Sequence, residues 1–140
     1  MKKIKYTAIV AVLSISAVKA QNSLTVNISN IEAAKGNVEI GLYNKEKGFL
    51  KEGQQFLKKK IKVIGNTLKY TFQNLPKGDY SVAVFHDSNL NNKCDTNMIG
   101  MPVEGFGFSN NFRPKLSAPK FAQTKVFVEN AKSININLIN

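Results

Sequence analysis

One cysteine, one histidine and one arginine are all that this 140-residue chain has of three residue types on which much protein chemistry depends. The lone Cys94 cannot close an internal disulfide, so packing alone must hold the fold. Structural zinc wants several Cys or His ligands at short spacing, and His86 is the one histidine. Cys94 therefore reads as a passenger side chain. Nucleic-acid binding wants Arg-rich clusters with stacking aromatics, and Arg113 stands alone. Acidic residues are also few, 9 against 20 basic. Lys58, Lys60, Lys62 and Lys69 alternate along strand-like segments, the pattern of a solvated sheet face rather than a polyanion site. Catalytic signatures are missing too. The chain has no Gly-x-Ser-x-Gly elbow, no His-Glu-x-x-His helix and no Cys–His pairing at a recognised spacing.

What is present begins with a leader pattern. Residues 1–6 are basic, residues 7–18 are apolar, and Val18-Lys19-Ala20 offers small residues where a signal peptidase reads. The expectation is a signal peptide over 1–20, cleaved before Gln21, and an exported product, periplasmic or secreted, with no membrane span left. The alternative is an uncleaved anchor, although the apolar stretch is short of the about 20 residues a span needs. With Lys2, Lys3, Lys5 and Lys19 removed, the formal net charge falls from +11 to about +7. Residues 21–140 then make a single domain.

The hydrophobic pattern has period two throughout. It predicts strands at 24–28, 37–43, 57–64, 67–72, 79–85, 125–128 and 133–138. Gly65-Asn66 reads as a hairpin turn, and Asn130-Ala131 as the turn of a closing pair. The fold class expected is all-β, a seven-stranded antiparallel Greek-key sandwich. Residues 45–55 read as an irregular connection or one helical turn. The connection 88–120 is long for a compact domain, which marks a functional loop or local structure.

That connection starts with alternating oxygen-bearing side chains. Asp87, Asn89, Asn91 and Asp95 take positions 1, 3, 5 and 9 of a calcium loop, and Lys93 takes position 7, where the main-chain carbonyl ligates. Position 12 is Met98 where a calcium loop has a bidentate glutamate, so Glu104 would have to reach back. A site so built would be weak, about 10⁻⁴ to 10⁻³ M. The same spacing also makes Asx-turns, in which each side chain bonds backbone two residues on and no ion is needed. Both readings fit the residues.

Three motifs in order carry a resemblance. Leu75-Pro76-Lys77-Gly78-Asp79-Tyr80 precedes the strongest strand, His86-Asp87-x-Asn89-x-Asn91 follows it, and Gly100-x-Pro102-x-Glu104-Gly105-Phe106-Gly107-Phe108-Ser109-Asn110 comes next. Together they resemble the DUF2141 family, small exported bacterial proteins of unknown function. The likeness spans essentially all of residues 21–140. The first motif is similar to the turn that delivers a tyrosine into the core of transthyretin-like sandwiches, so the resemblance implies a prealbumin-like fold. It brings no activity. Asn92 stands where the family commonly has Gly, and asparagine tolerates the left-handed backbone needed there.

Two functions are open on these residues. The first is a non-enzymatic module of the cell envelope that binds a protein or glycan through 88–111. In that reading His86, Phe106 and Phe108 contact the ligand, the phenylalanines being either exposed grips or plugs of the core. The second is a small hydrolase or isomerase using His86, Asp87 and Glu104, which must then converge on one reacting centre. His86 and Asp87 are neighbours on a strand, and neighbours point to opposite faces.

Overall fold

A computed structural model describes residues 21–140; the leader expected over 1–20 lies outside the described residues. Alternation is carried into the structure most directly by β1 (Asn22–Ser29), whose Leu24, Val26 and Ile28 are buried while the residues between them are not. The next strands are β2 (Asn37–Tyr43), β3 (Leu57–Lys62), β4 (Leu68–Leu75) and β5 (Gly78–Asp87). A short β6 (Phe106–Phe108), a 3-10 turn (Ser109–Asn111), the single-turn helix α1 (Phe121–Thr124), β7 (Val126–Val128) and β8 (Ala131–Asn137) follow.

Two sheets form, with orders β4-β1-β8 and β3-β2-β5-β6, and β7 joins the larger one by pairing with β5. Their inner faces meet in one core. Leu24, Val26, Ile28, Phe72 and Ile136 of the smaller sheet pack with Val38, Ile40, Leu42, Tyr80, Val82 and Val84 of the larger. The Leu-Pro-x-Gly-x-Tyr turn does seat its tyrosine inside: Tyr80 is buried and its hydroxyl donates to the Pro76 carbonyl at 2.6 Å, which keeps that polar tip satisfied. A buried polar knot fixes the far end. The Ser81 and Thr124 hydroxyls lie 2.6 Å apart, and the Val82 N–H donates to Ser109 Oγ at 2.9 Å.

The architecture departs from the sequence reading in four places. There are eight strands rather than seven, because β6 is only three residues around Gly107 and too short to show a period. The sandwich is not wholly antiparallel: β8 runs parallel to β1, with Val26 opposite Ile134 and Ile28 opposite Ile136. Gly65-Asn66 is no hairpin, since β3 and β4 belong to different sheets; Val63 turns into the core there and the chain crosses. Likewise β7 and β8 do not pair. Asn130 takes a positive φ of 60°, and the Ser23 N–H donates to its carbonyl at 2.9 Å, so the corner is held to β1 while β7 stays on β5. Residues 45–55 form turns without a helix.

Candidate functional site

The inner face of the larger sheet is core, so its outer face is where function has room. Register fixes what stands there. Glu39 lies opposite Phe85 and Gly41 opposite Ala83 across β2 and β5, and Phe85 and Ala83 lie opposite Phe106 and Phe108 across β5 and β6. The period of two puts all of these side chains outward. Gly41 and Ala83 leave the middle low, and aromatic side chains rise around it. Over this floor the 45–55 turns fold from one side and the 88–120 connection from the other.

Between them is a cavity of about 330 Å³. Its sheet wall is Glu39, Gly41, Tyr43, Ala83, Phe85, Phe106 and Phe108, and Leu50, Gln55 and Glu52 close one side. Cys94, Thr96, Met101, Pro102, Pro114 and Ala118 close the other. Such a mostly apolar concavity with a few placed polar groups is the usual form of a small-ligand site. The cavity is real because of a glycine. A Cβ at Gly41 would meet a Tyr43 ring carbon and Gln55 Cγ at 3.2 Å each, crowding the floor.

One charged group is sunk into the cavity wall. Glu39 is only 3% exposed, with Lys58 Nζ 3.1 Å from Oε2 and Lys60 Nζ 3.0 Å from Oε1. The second contact is close but poorly directed, since Oε1 accepts no well-aligned hydrogen bond; we read it as ion pairing. Two ammonium groups on one buried carboxylate are what make its burial tolerable. The hydrogen bond that Lys58 donates to Glu39, more than the charge of Glu39, raises the Lys58 pKa, with Glu52 adding to it. Tyr43 is pushed up by burial and by Glu52, against a hydrogen bond from Gln55. Cys94 is exposed and unpaired, yet enough protein surrounds its thiol that desolvation raises its pKa, with Glu104 and Asp95 contributing.

The loop after β5 is bonded to itself. Asp87 is fully buried and accepts from the Asn91 N–H at 3.1 Å and the Asn92 N–H at 2.9 Å. Asn89 Oδ1 accepts from the Asn91 N–H and Asn91 Oδ1 from the Lys93 N–H, two Asx-turns in series. Those bonds orient the amides. The Asn89 and Asn91 nitrogens both donate to the Asp95 carboxylate, at 2.7 and 2.8 Å, and lower its pKa, Asn89 contributing most. A cation between these groups needs converging oxygens, and here N–H groups occupy that place. Among the described residues no group of three or more His, Cys, Asp or Glu side chains is placed to hold a metal. The residues as arranged do not fit calcium. Glu104 does not reach this loop's interior; its Oε1 accepts from the Ser88 N–H and hydroxyl, both at 3.0 Å, and its Oε2 is buried without a partner.

Of the residues singled out by sequence, Phe106 and Phe108 meet at the cavity, their ring centroids 6.0 Å apart. His86 does not join them. It sits on the inner face opposite Val38, its Nε2 2.7 Å from the Lys35 carbonyl oxygen. The residues that sequence reasoning passed over are Glu39, Gly41, Tyr43 and Lys58. The signal was there: Glu39, Gly41 and Tyr43 put a charged, an absent and a phenolic side chain at alternate positions, which is an outward face that is not simply solvated.

A sequence model of the family described as "Uncharacterized protein conserved in bacteria (DUF2141)" matches residues 26–136, from the second half of β1 to the end of the core-forming part of β8. No curated protein and no solved structure matches the chain. The match covers both sheets, the self-bonded loop and every wall of the cavity, and on that extent the chain belongs to the DUF2141 family.

Proposed function

We propose that this protein is a non-enzymatic binding module of the cell envelope, and that the cavity on the outer face of its larger sheet takes an apolar side chain or a sugar ring from an envelope protein or glycan. The observation that carries this reading is the setting of Phe85, Phe106 and Phe108 around the low floor at Gly41 and Ala83. Flat aromatic walls offer stacking area at little conformational cost. The buried Glu39–Lys58 pair adds a polar mark to an otherwise apolar wall.

The hydrolase or isomerase alternative requires His86, Asp87 and Glu104 to serve one centre. His86 faces inward, both Asp87 oxygens accept backbone N–H groups, Glu104 is bonded to Ser88, and none of the three lines the cavity. Their placement favours the binding reading. The reading needs no calcium, because the loop's polar groups serve one another. Export is supported by the leader pattern of residues 1–20, and among the described residues no helix is long and apolar enough to cross a membrane.

The test is a nitrogen-edited NMR titration of residues 21–140 with soluble envelope oligosaccharides and with short apolar peptides. Saturating shifts at Gly41, Ala83, Phe85 and Phe106, lost in an Ala83→Leu variant that fills the floor, are the result expected. Shifts confined to other surfaces would overturn the assignment of the cavity.

A further inference from the structure

We infer that the arm 95–103 is an interfacial anchor, whose tip residues Met98 and Ile99 enter an anionic lipid surface. Of the nine large apolar side chains left exposed in the described residues, five (Leu90, Met98, Ile99, Val103 and Leu116) lie on the single connection 88–120. Met98 and Ile99 are adjacent and the most outward pair, 105% and 83% exposed. Scattered exposed aliphatics need no explanation, whereas a concentration on one loop does.

The arm is built to be dry. Thr96 bridges Pro102, the Asn97 N–H donates to the Met101 carbonyl at 2.8 Å, and the Gly100 N–H donates to the Asn97 carbonyl at 3.0 Å. Asn97 Oδ1 accepts from the Ile99 and Met101 N–H groups at 3.1 and 3.0 Å. The tip amides of 97, 99, 100 and 101 are thus all satisfied inside the arm. A peptide group entering a lipid interface without a partner costs heavily, so the internal bonds of these four amides lower the cost of insertion.

Charge selects the surface. The cations of the connection are Lys93, Arg113, Lys115 and Lys120 against two carboxylates, Asp95, which is partly exposed but held by the Asn89 and Asn91 amides, and Glu104, which is held by Ser88. Pro114 and Ala118 border the same cavity as Thr96 and Met101, which brings Lys115 and Leu116 to the mouth beside the arm. Two inserted aliphatics are too few for stable attachment alone, and a basic patch is the second signal such anchors use. A protein partner is the weaker fit. Protein hot spots favour Trp, Tyr and Arg in packed pockets, whereas this tip is exposed and aliphatic, with Phe106 and Phe108 turned to the cavity.

The experiment is co-sedimentation of residues 21–140, which hold the whole two-sheet core and lack the apolar leader, with vesicles of phosphatidylcholine alone or with about 30 mol% phosphatidylglycerol. The expected result is partition to the anionic vesicles only, weakened about fivefold for each cation removed by Lys93→Gln or Lys115→Gln. Met98→Asp with Ile99→Asp should cut it at least about tenfold with an unchanged melting temperature, since both side chains are exposed. Equal partition of wild type and the double variant, equal binding to both vesicle types, or no binding at all would each overturn the proposal. So would a wild-type dimer that the double variant converts to monomer, which would make the tip a contact between copies of this chain.

Discussion

Replacing Asp87 by alanine tests whether the loop 87–95 stands by itself. The side chain is fully buried and its two oxygens hold the Asn91 and Asn92 N–H groups at 3.1 and 2.9 Å. Bonds to a charged acceptor contribute about 1.5–3 kcal/mol each, and water can reach the exposed asparagines once the acceptor is gone, so a loss of about 2–3 kcal/mol is expected. For a domain of this size that lowers the melting temperature by about 8–12 °C. Asp95→Ala removes only exposed amide bonds and should leave the melt within about 2 °C of wild type. The assay is thermal denaturation followed by circular dichroism, in excess EDTA and in calcium up to about 10 mM. The two series should superimpose for all three proteins. A cation site saturated a hundredfold would add about 2.7 kcal/mol, an effect too large to miss. A saturating rise with calcium that Asp95→Ala abolishes would refute the self-bonded loop, as would an Asp95→Ala loss as large as that of Asp87→Ala.

The raised pKa of Lys58 stabilises the fold at pH values below its unfolded pKa, and the contribution disappears as pH rises through the folded value; Glu39→Gln should therefore move the alkaline limb of melting temperature against pH to lower pH. Asp95 behaves in the opposite sense, its lowered pKa giving stability that is present above the ordinary carboxylate range and lost as pH falls through the folded value, so Asn89→Ala should flatten the acid limb. The Cys94 thiol, raised by burial and by Glu104 and Asp95, should react with iodoacetamide at neutral pH more slowly than a free thiol, because the thiolate is the nucleophile; a rate equal to that of glutathione would contradict the arrangement. Gly107→Ala would place its Cβ 2.6 Å from Ile136 Cγ2, an overpacking expected to cost about 1–3 kcal/mol by chemical denaturation, whereas Gly53→Ala meets no atom within 4 Å and should lose only what its left-handed backbone imposes.

Period-two alternation is a local signal, and it located seven strands because each half-buried strand writes its own pattern. Which strand pairs with which is a tertiary matter. Gly65-Asn66 looks like a hairpin turn in sequence, but Val63 beside it is buried and the chain crosses from one sheet to the other. In the same way nothing local says that β8 runs parallel to β1, because that pairing joins residues more than a hundred positions apart. The short β6 was hidden by Gly107, whose missing side chain is required by Ile136 across the sheets and breaks the pattern a strand would show.

The candidate site was half legible for a related reason. Phe106 and Phe108 stood out as aromatics between glycines, and the choice offered was core or exposed. They are neither, since the outer face of a sheet becomes an interior when loops fold over it. Lys60, the ion-pair partner of buried Glu39, also donates to Asn92 of the self-bonded loop, which ties that loop to the outer face. Asp87 shapes that loop and the Glu39–Lys60 pair ties it to the sheet, so one carboxylate singled out by its spacing and one passed over together frame the cavity roof. Of the two readings that the spacing allowed, the hydrogen bonds of the loop follow the Asx-turns, and the cavity wall is set by the alternate positions of β2 and β5, where sequence alone shows only that a side chain faces away from the core.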